Sequence, residues 1–372
     1  MRNEASEPFV QRQERAAAAL QSAGADALVV CPGADLLYLT GFEHGHAGER
    51  LLALVLKRDG SARWVVPVMN EPQVRPHVLP GQTLRAWGDG EWFLPALREA
   101  LDGVRTVAFD DEARAGFALD LLSLNPAPWL VKGSTITRRL RTRKDASELA
   151  ALRAAGRTVD ETIAEGISFC RPGRREIEVE QDLRVALLRR SPESTVAFSI
   201  VAGGPNGALP HHETSDRVLQ RGDVVILDFG TRRAGYHSDI TVTCCVGEPS
   251  DPEARKVYRT VWEAQQAAIR AVRPGVACED VDRAARTVIE RAGYGPQFLH
   301  RTGHGLGLQV HEAPYLVAGN RETLEEGMVF SIEPGIYLLG RFGVRLEVIA
   351  SVTSDGMSLI NAPSAPELPL ST

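Results

Sequence analysis

The feature that most constrains this chain is a pair of charges set inside strands that should be apolar. The segment DVVILDFGTRRAGYHSDITVTCCV (223–246) is two apolar runs around a polar turn at Arg232–Gly235, the pattern of a β-hairpin. Each run is interrupted by one acid, Asp228 in VILDFG and Asp239 in HSDITV. With Arg233 and Ala234 as the two turn residues, Asp228 and Asp239 face each other across the ladder. Opposed like charges destabilise a hairpin unless something positive lies between them. Either both side chains face solvent or a divalent cation holds them. Asp228 breaks a run that reads as buried, which favours the cation.

A second segment repeats the plan. GMVFSIEPGIYLLGRFGVRLEVIASV (327–352) carries Glu333 on one strand and Glu347 on the next. An odd-length loop centred on Gly340 places these two carboxylates opposite each other. Nitrogen comes from LHRTGHGLGLQVHEAP (299–314), which holds His300, His304 and His311, three of the chain's nine histidines. His211 and His212 follow in GGPNGALPHH. GHGLGL does not match GxGxxG and lacks a βαβ setting, so a nucleotide loop is not indicated. HEAP is not HExxH, so neither is a thermolysin-type zinc site. Four carboxylates and one imidazole exceed what one catalytic zinc takes and suit two divalent ions sharing bridging carboxylates. The oxygen-rich set favours Mn²⁺ or Co²⁺, with Zn²⁺ or Fe²⁺ as alternatives. Such a pair can hold a nucleophilic water and stabilise both ends of a hydrolytic displacement.

A length of 372 residues suggests two domains. A net charge of −6, from 42 basic and 48 acidic residues, argues against nucleic acid as the main partner. The five cysteines are odd in number and form no CxxC, which points to a reducing compartment. The N-terminus is charged and lacks an apolar core, and no apolar run reaches the roughly 18 residues of a membrane span. A cytoplasmic protein without a membrane partner is expected.

Local patterns predict a helix over 9–23, a strand over 27–31, a strand at YLTGF (38–42), a hairpin over 51–68, a helix over 92–101 and a strand over 106–110. Asp145 with Glu148 forms a capping box, opening a helix over 146–168. Further helices are expected over 176–190, 252–272 and 277–292, with a frayed tail at SAPELPLST. The Arg-rich stretch before Asp145 places the boundary between domains 1–138 and 139–372. Cys244 and Cys245 read as strand packing.

The ordered set Asp228, Asp239, His304, Glu333, Glu347 resembles the dinuclear-metal signature of the pita-bread metallopeptidases, the superfamily of prolidase, aminopeptidase P and creatinase. GGPNGALPHH, ILDFG, SDIT, TGHGLG, HEAP, SIEPGIY and GVRLE resemble family motifs in the family's order, and YLTGF resembles its N-terminal domain. The resemblance implies an N-terminal creatinase-like mixed α/β domain followed by a C-terminal pita-bread domain. It implies an Xaa-Pro peptidase working as a homodimer. Asp228 would bind one ion through both oxygens, Asp239 and Glu347 would bridge, and His304 and Glu333 would bind the second. Glu333 would also act as general base. His211 would stabilise the tetrahedral intermediate, His311 would contact the scissile carbonyl region, and His300 would line the proline pocket. Arg345 would pair with a ligand carboxylate beside the substrate. His212 reads as a neighbour, and His44 and His46 as loop residues able to approach a partner subunit's site.

One departure bears on substrate length. Many prolidases carry an Arg after the HEAP-like segment to receive the dipeptide's carboxylate, and here that residue is Tyr315. Arg341, in the turn of the second hairpin, is the expected replacement; otherwise it is an ordinary exposed turn residue. The expected activity is an Xaa-Pro dipeptidase. Alternatives are an aminopeptidase P acting on longer Xaa-Pro peptides and a creatinase-like non-peptidase hydrolase. A metal-free binding module would not need the full set of five donors.

Overall fold

The computed structural model describes residues 7–43 and 48–371. His44 and His46 lie outside the described residues. The chain divides into two compact units, Met1–Arg141 and Thr142–Thr372.

In the N-terminal unit, β1 (Ala27–Val30), β2 (Ala53–Lys57), β3 (Ala62–Pro67), β4 (Thr83–Trp87), β5 (Thr106–Phe109) and β6 (Trp129–Lys132) form one mixed sheet in the order β4-β3-β2-β1-β5-β6. The β2–β3 hairpin turns at Arg58–Ser61 as the Asp-Gly signal predicts. β1 runs parallel to β5 and antiparallel to β2, and its residues are fully buried. A core of Val29, Val55, Val65, Trp87, Phe93 and Phe117 fills one side. YLTGF is not a strand. Tyr38, Leu39 and Thr40 end a helix, Ala34–Thr40, which buries Leu36 and Leu39 at helical spacing. Gly41 closes it at φ 68°, its N–H donating to Leu37, and a Cβ there would come within 2.4 Å of the Phe9 ring. That close approach and the left-handed backbone both require glycine.

In the C-terminal unit, β7 (Thr195–Gly203), β8 (Val224–Arg233), β9 (Tyr236–His237), β10 (Ile240–Val246), β11 (Gly303–Gly305), β12 (Glu312–Leu316), β13 (Val329–Ile332), β14 (Gly335–Leu338), β15 (Phe342–Arg345), β16 (Val348–Val352), β17 (Met357–Leu359) and β18 (Leu370–Ser371) make two larger sheets and one ribbon. One sheet runs β18-β10-β8-β7, with β9 on β8; the other runs β12-β11-β13-β16-β17; β14 and β15 pair alone. The helix Ala146–Gly166 starts at the expected capping box, with Asp145 Oδ1 accepting from Ser147 and Glu148 N–H and Glu148 Oε2 accepting from Asp145 N–H. The helices Ala254–Ala271 and Cys278–Arg291 bury Val257, Val261, Ala264, Val281, Ala285 and Ile289 in a core shared with Phe330, Ile336, Val344 and Val348.

The first hairpin differs in register from the expectation. Arg233 pairs with Tyr236, so the turn residues are Ala234 and Gly235, both at positive φ, 48° and 83°. This is the two-residue turn that matches strand twist, and glycine supplies its strained position at least cost. Asp228 therefore pairs with Thr241, not Asp239. A two-residue shift preserves the face, so Asp239 stays on the same side as Asp228, displaced diagonally. The second hairpin has the expected register: Gly335 pairs with Arg345 and Ile332 with Val348, leaving Glu333 and Glu347 opposite each other between the two ladders. The tail does not fray: Leu370 and Ser371 pair with Cys245 and Val246 in parallel, and Leu368 and Ser371 are buried. Cys244 and Cys245 are buried in the strand, and no disulfide joins any of the five cysteines.

Candidate metal centre and substrate cleft

Two hairpins, from different sheets, are joined edge to edge at the site. Glu347 N–H donates to Thr241 C=O, and Thr243 Oγ1 donates to Arg345 C=O. These bonds bring Asp228 and Asp239 on one hairpin to Glu333 and Glu347 on the other. β11 adds His304, whose Nε2 lies 3.5 Å from Asp239 Oδ2 and 3.3 Å from Glu333 Oε1. The donor atoms group into sets lying within 4.8 Å of one another: Asp228, Asp239 and Glu347; His304, Glu333 and Glu347; and Asp239, His304 and His311.

The electrostatics of this cluster are unfavourable without a cation. Burial, reinforced by neighbouring carboxylates, pushes Asp239 and Glu347 well above the usual carboxylate range. Burial also lifts Glu333 to about 7, with the Asp228 carboxylate adding to the rise and Arg345 opposing it. Asp228 Oδ2 accepts from Arg345 Nη2 at 2.6 Å, and Glu347 Oε2 accepts from Thr241 Oγ1 at 2.8 Å. Asp228 Oδ1 and Glu347 Oε1 are buried with no hydrogen-bond partner. Among the described residues these are the only buried, partnerless carboxylate oxygens. Buried acceptors left open in this way cost free energy unless a ligand fills them. His304 Nδ1 lies 3.1 Å from Gly305 C=O, which makes Nδ1 the donor and leaves the Nε2 lone pair facing the carboxylates. Burial, with His311 beside it, pushes His304 down to about 3, so the ring is neutral. The residues present fit divalent cations.

A cleft of about 930 Å³ opens over this cluster, lined by Asp228, Asp239, His304, Glu333 and Glu347. His211, His300, His311 and Arg345 line it too. The His311 ring is 4.0 Å from that of His304. Arg345 is buried and donates to Asp228, Tyr337 Oη, Thr241 Oγ1 and Pro210 C=O. Tyr337 Oη is also 2.8 Å from His300 Nε2. Tyr337, on β14 four residues after Glu333, is a supporting residue that the sequence-based expectation does not include; the even spacing of the two is the available signal. His212 is turned to Glu176, 3.1 Å away.

Arg341 is not brought to the site. Its guanidinium is held at 2.8–2.9 Å on Asp251 and at 2.8 Å on Glu253, because the three-residue loop between Leu338 and Phe342 carries it to two acids beside the helix Ala254–Ala271. A different arginine, Arg301, is in the cleft. It lines the cleft, stands 4.7 Å over the ring of Tyr315, and has no carboxylate partner among the described residues. A stacking pair fourteen positions apart leaves no local pattern in the sequence. Lys144 and Glu312 form a buried ion pair of 2.6 Å that anchors the HEAP strand.

Residues 150–354 match metallopeptidase family M24, and residues 12–143 match the creatinase/prolidase N-terminal domain. The chain is 43% identical over 363 residues to the probable dipeptidase PepE of Mycobacterium tuberculosis, covering 96% of this chain and 95% of the relative. It is 35% identical over 344 residues to the Xaa-Pro dipeptidase of Lactobacillus helveticus, covering 91% and 93%. Among solved structures, dipeptidase PepE from Mycobacterium ulcerans superposes with a TM-score of 0.90 at 41% identity, covering 100% of this chain and 99% of that one.

Proposed function

The chain belongs to metallopeptidase family M24, and from that premise we propose that it is an Xaa-Pro dipeptidase. The observation that carries the dipeptide length is Arg301. A dipeptide ends in a free carboxylate just beyond proline, and an arginine fork is its best planar partner. Arg301 stands in the cleft without an acid of its own, braced on Tyr315, where many family members would present an arginine at the tyrosine's position.

Asp228, Asp239, His304, Glu333 and Glu347 hold two divalent cations in this reading. Such ions lower the pKa of a water and offset charge that develops on the peptide oxygen. Glu333, held near neutrality by burial, takes the proton of the attacking water and delivers it to the departing proline nitrogen. His211 and His311 flank the carbonyl and donate to its oxygen as the carbon becomes tetrahedral. Tyr337 holds His300 and Arg345 in place, so the wall of the proline pocket and the partner of Asp228 share one anchor. Mn²⁺ or Co²⁺ as the resident ions, a homodimer and a cytoplasmic location complete the proposal. Metal analysis of enzyme purified without added metal, light scattering at assay concentration and cell fractionation test each in turn.

The decisive experiment compares metal-loaded enzyme on Xaa-Pro dipeptides and Xaa-Pro-Xaa tripeptides. Dipeptides are cleaved faster, and Arg301→Ala raises KM for dipeptides about ten- to a hundredfold, the loss of a charge-assisted pair. Equal or faster cleavage of tripeptides by the unmodified enzyme would assign it instead to the aminopeptidase P type.

A further inference from the structure

The cleft has a second charged end. Ile200 pairs with Asp228, and Phe198 with Gly230, so β7 flanks the Asp228 half of the acid set. Arg301 is three residues before His304, whose Nε2 faces Asp239 and Glu333. On the β7 side the cleft is lined by Ala197, Phe198, Ile200, Glu180 and Glu213. The Phe198 ring packs over Gly230, where a Cβ would come within 2.1 Å of it. Glu180, on the helix Glu176–Arg190, is buried and uses a single oxygen, Oε1, for both bonds from Arg184, at 3.0 and 2.7 Å. Its second oxygen has no bond among the described residues. Glu213 is exposed and has neither hydrogen bond nor ion pair among the described residues.

We propose that this end binds the side chain of the substrate's first residue and selects a long basic one, lysine or arginine. The inference rests on the Xaa-Pro dipeptidase reading: with the dipeptide's carboxylate on Arg301 and its peptide bond over the acid set, the first residue projects along β7. The α-ammonium, two bonds from the scissile carbon, stays beside Asp228 and cannot reach further. A lysine or arginine side chain lays its aliphatic stem over Ile200 and Phe198 and carries its cation past the aromatic ring to the open oxygen of Glu180 and to Glu213. Glu180 supplies the larger share, because its side chain is far more buried than that of the exposed Glu213, so a cation beside it is less screened by solvent. A glutamate as first residue meets two carboxylates instead, and the nearby Arg184 is already committed to Glu180. The cleft thus carries opposite charges at its two ends, matched to a dipeptide with a cationic first residue and a free carboxylate.

The test measures kcat/KM of the metal-loaded enzyme on Lys-Pro, Arg-Pro, Leu-Pro and Glu-Pro. Lys-Pro and Arg-Pro exceed Leu-Pro by about tenfold and Glu-Pro by about a hundredfold, the difference lying in KM because the contact is already made in the ground state. Glu180→Lys combined with Glu213→Lys inverts the Lys-Pro to Glu-Pro ratio. Glu213→Lys alone, on an exposed position that does not threaten folding, lowers that ratio severalfold. A wild-type enzyme that cleaves Leu-Pro or Glu-Pro as fast as Lys-Pro overturns the specificity while leaving the Xaa-Pro reading standing, as does an unchanged ratio in Glu213→Lys. Absence of turnover on every Xaa-Pro dipeptide overturns that reading, and the specificity with it.

Discussion

Asp110 of the N-terminal unit and Asp228 of the C-terminal unit are 7% and 8% exposed, yet the chain around them treats their oxygens in opposite ways. Asp110 accepts Cys31 N–H on one oxygen and Glu112 N–H on the other, both at 2.9 Å. Burial pushes its carboxyl up to about 6 against the pull of those two bonds. Both of its oxygens are answered. Asp228 has Arg345 on one oxygen and nothing on the other, and it sits among Asp239, Glu333 and Glu347. Glu176 makes the same point within the C-terminal unit: although it has no exposed side-chain surface, it accepts from Gly203 N–H, Asn206, Ser215 and His212. Burial alone does not mark a functional carboxylate. Buried oxygens left open among like charges do, because only a ligand restores the balance.

The largest effect that can break this comparison comes from Asp239. Asp239→Ala should remove a ligand shared between two donor sets and reduce kcat by about 10⁴-fold, some 5–6 kcal/mol of barrier. Chelation should lower the Tm of the wild type by removing a ligand bound only to the folded state, and should move that of the variant much less. Wild-type turnover and metal content in Asp239→Ala would show that the open oxygens are not a metal site.

Glu333→Gln comes next. It keeps shape and removes the proton acceptor, so kcat should fall about 10²- to 10⁴-fold while KM changes far less. A loss confined to KM would leave Glu333 a binding residue only.

Asp110 sharpens the other side of the comparison through pH. Its folded value of about 6 lies above the ordinary 3.8, so the folded state holds the proton more tightly than the unfolded chain. That contribution is complete below pH ~4 and is lost as pH rises towards ~6, amounting to about 3 kcal/mol in total. Asp110→Asn should flatten this slope: between pH ~4 and ~7 the wild type should lose stability relative to the variant in urea titrations, while the pH–activity profiles of the two enzymes coincide. Parallel stability curves would show that the two N–H bonds outweigh burial. The smallest effect belongs to the helix cap. Asp145→Ala removes the acceptor for two N–H groups and should cost about 1 kcal/mol, read from the denaturant midpoint at unchanged m-value.

What the sequence by itself determined is whatever is written in local periodicity and spacing. The capping box at Asp145, the Asp-Gly turn after β2, the helices of the C-terminal unit and the pairing of Glu333 with Glu347 around Gly340 all follow from residues within one or two turns or one loop of each other. The order of the five donors along the chain and the family they resemble were legible for the same reason. Tertiary structure decided the rest. Residues 34–40 became a helix because Leu36 and Leu39 find a core and Gly41 must pass the Phe9 ring. The first hairpin chose Ala234–Gly235 because Gly235 takes the left-handed backbone more cheaply than Arg233 would. The tail is held by Cys245 and Val246, more than a hundred residues earlier. Arg301 reaches the cleft and Arg341 does not, because Tyr315 lies under one guanidinium and Asp251 and Glu253 hold the other. Charged side chains of this length go where partners distant in the chain receive them, and no period in the sequence encodes that choice.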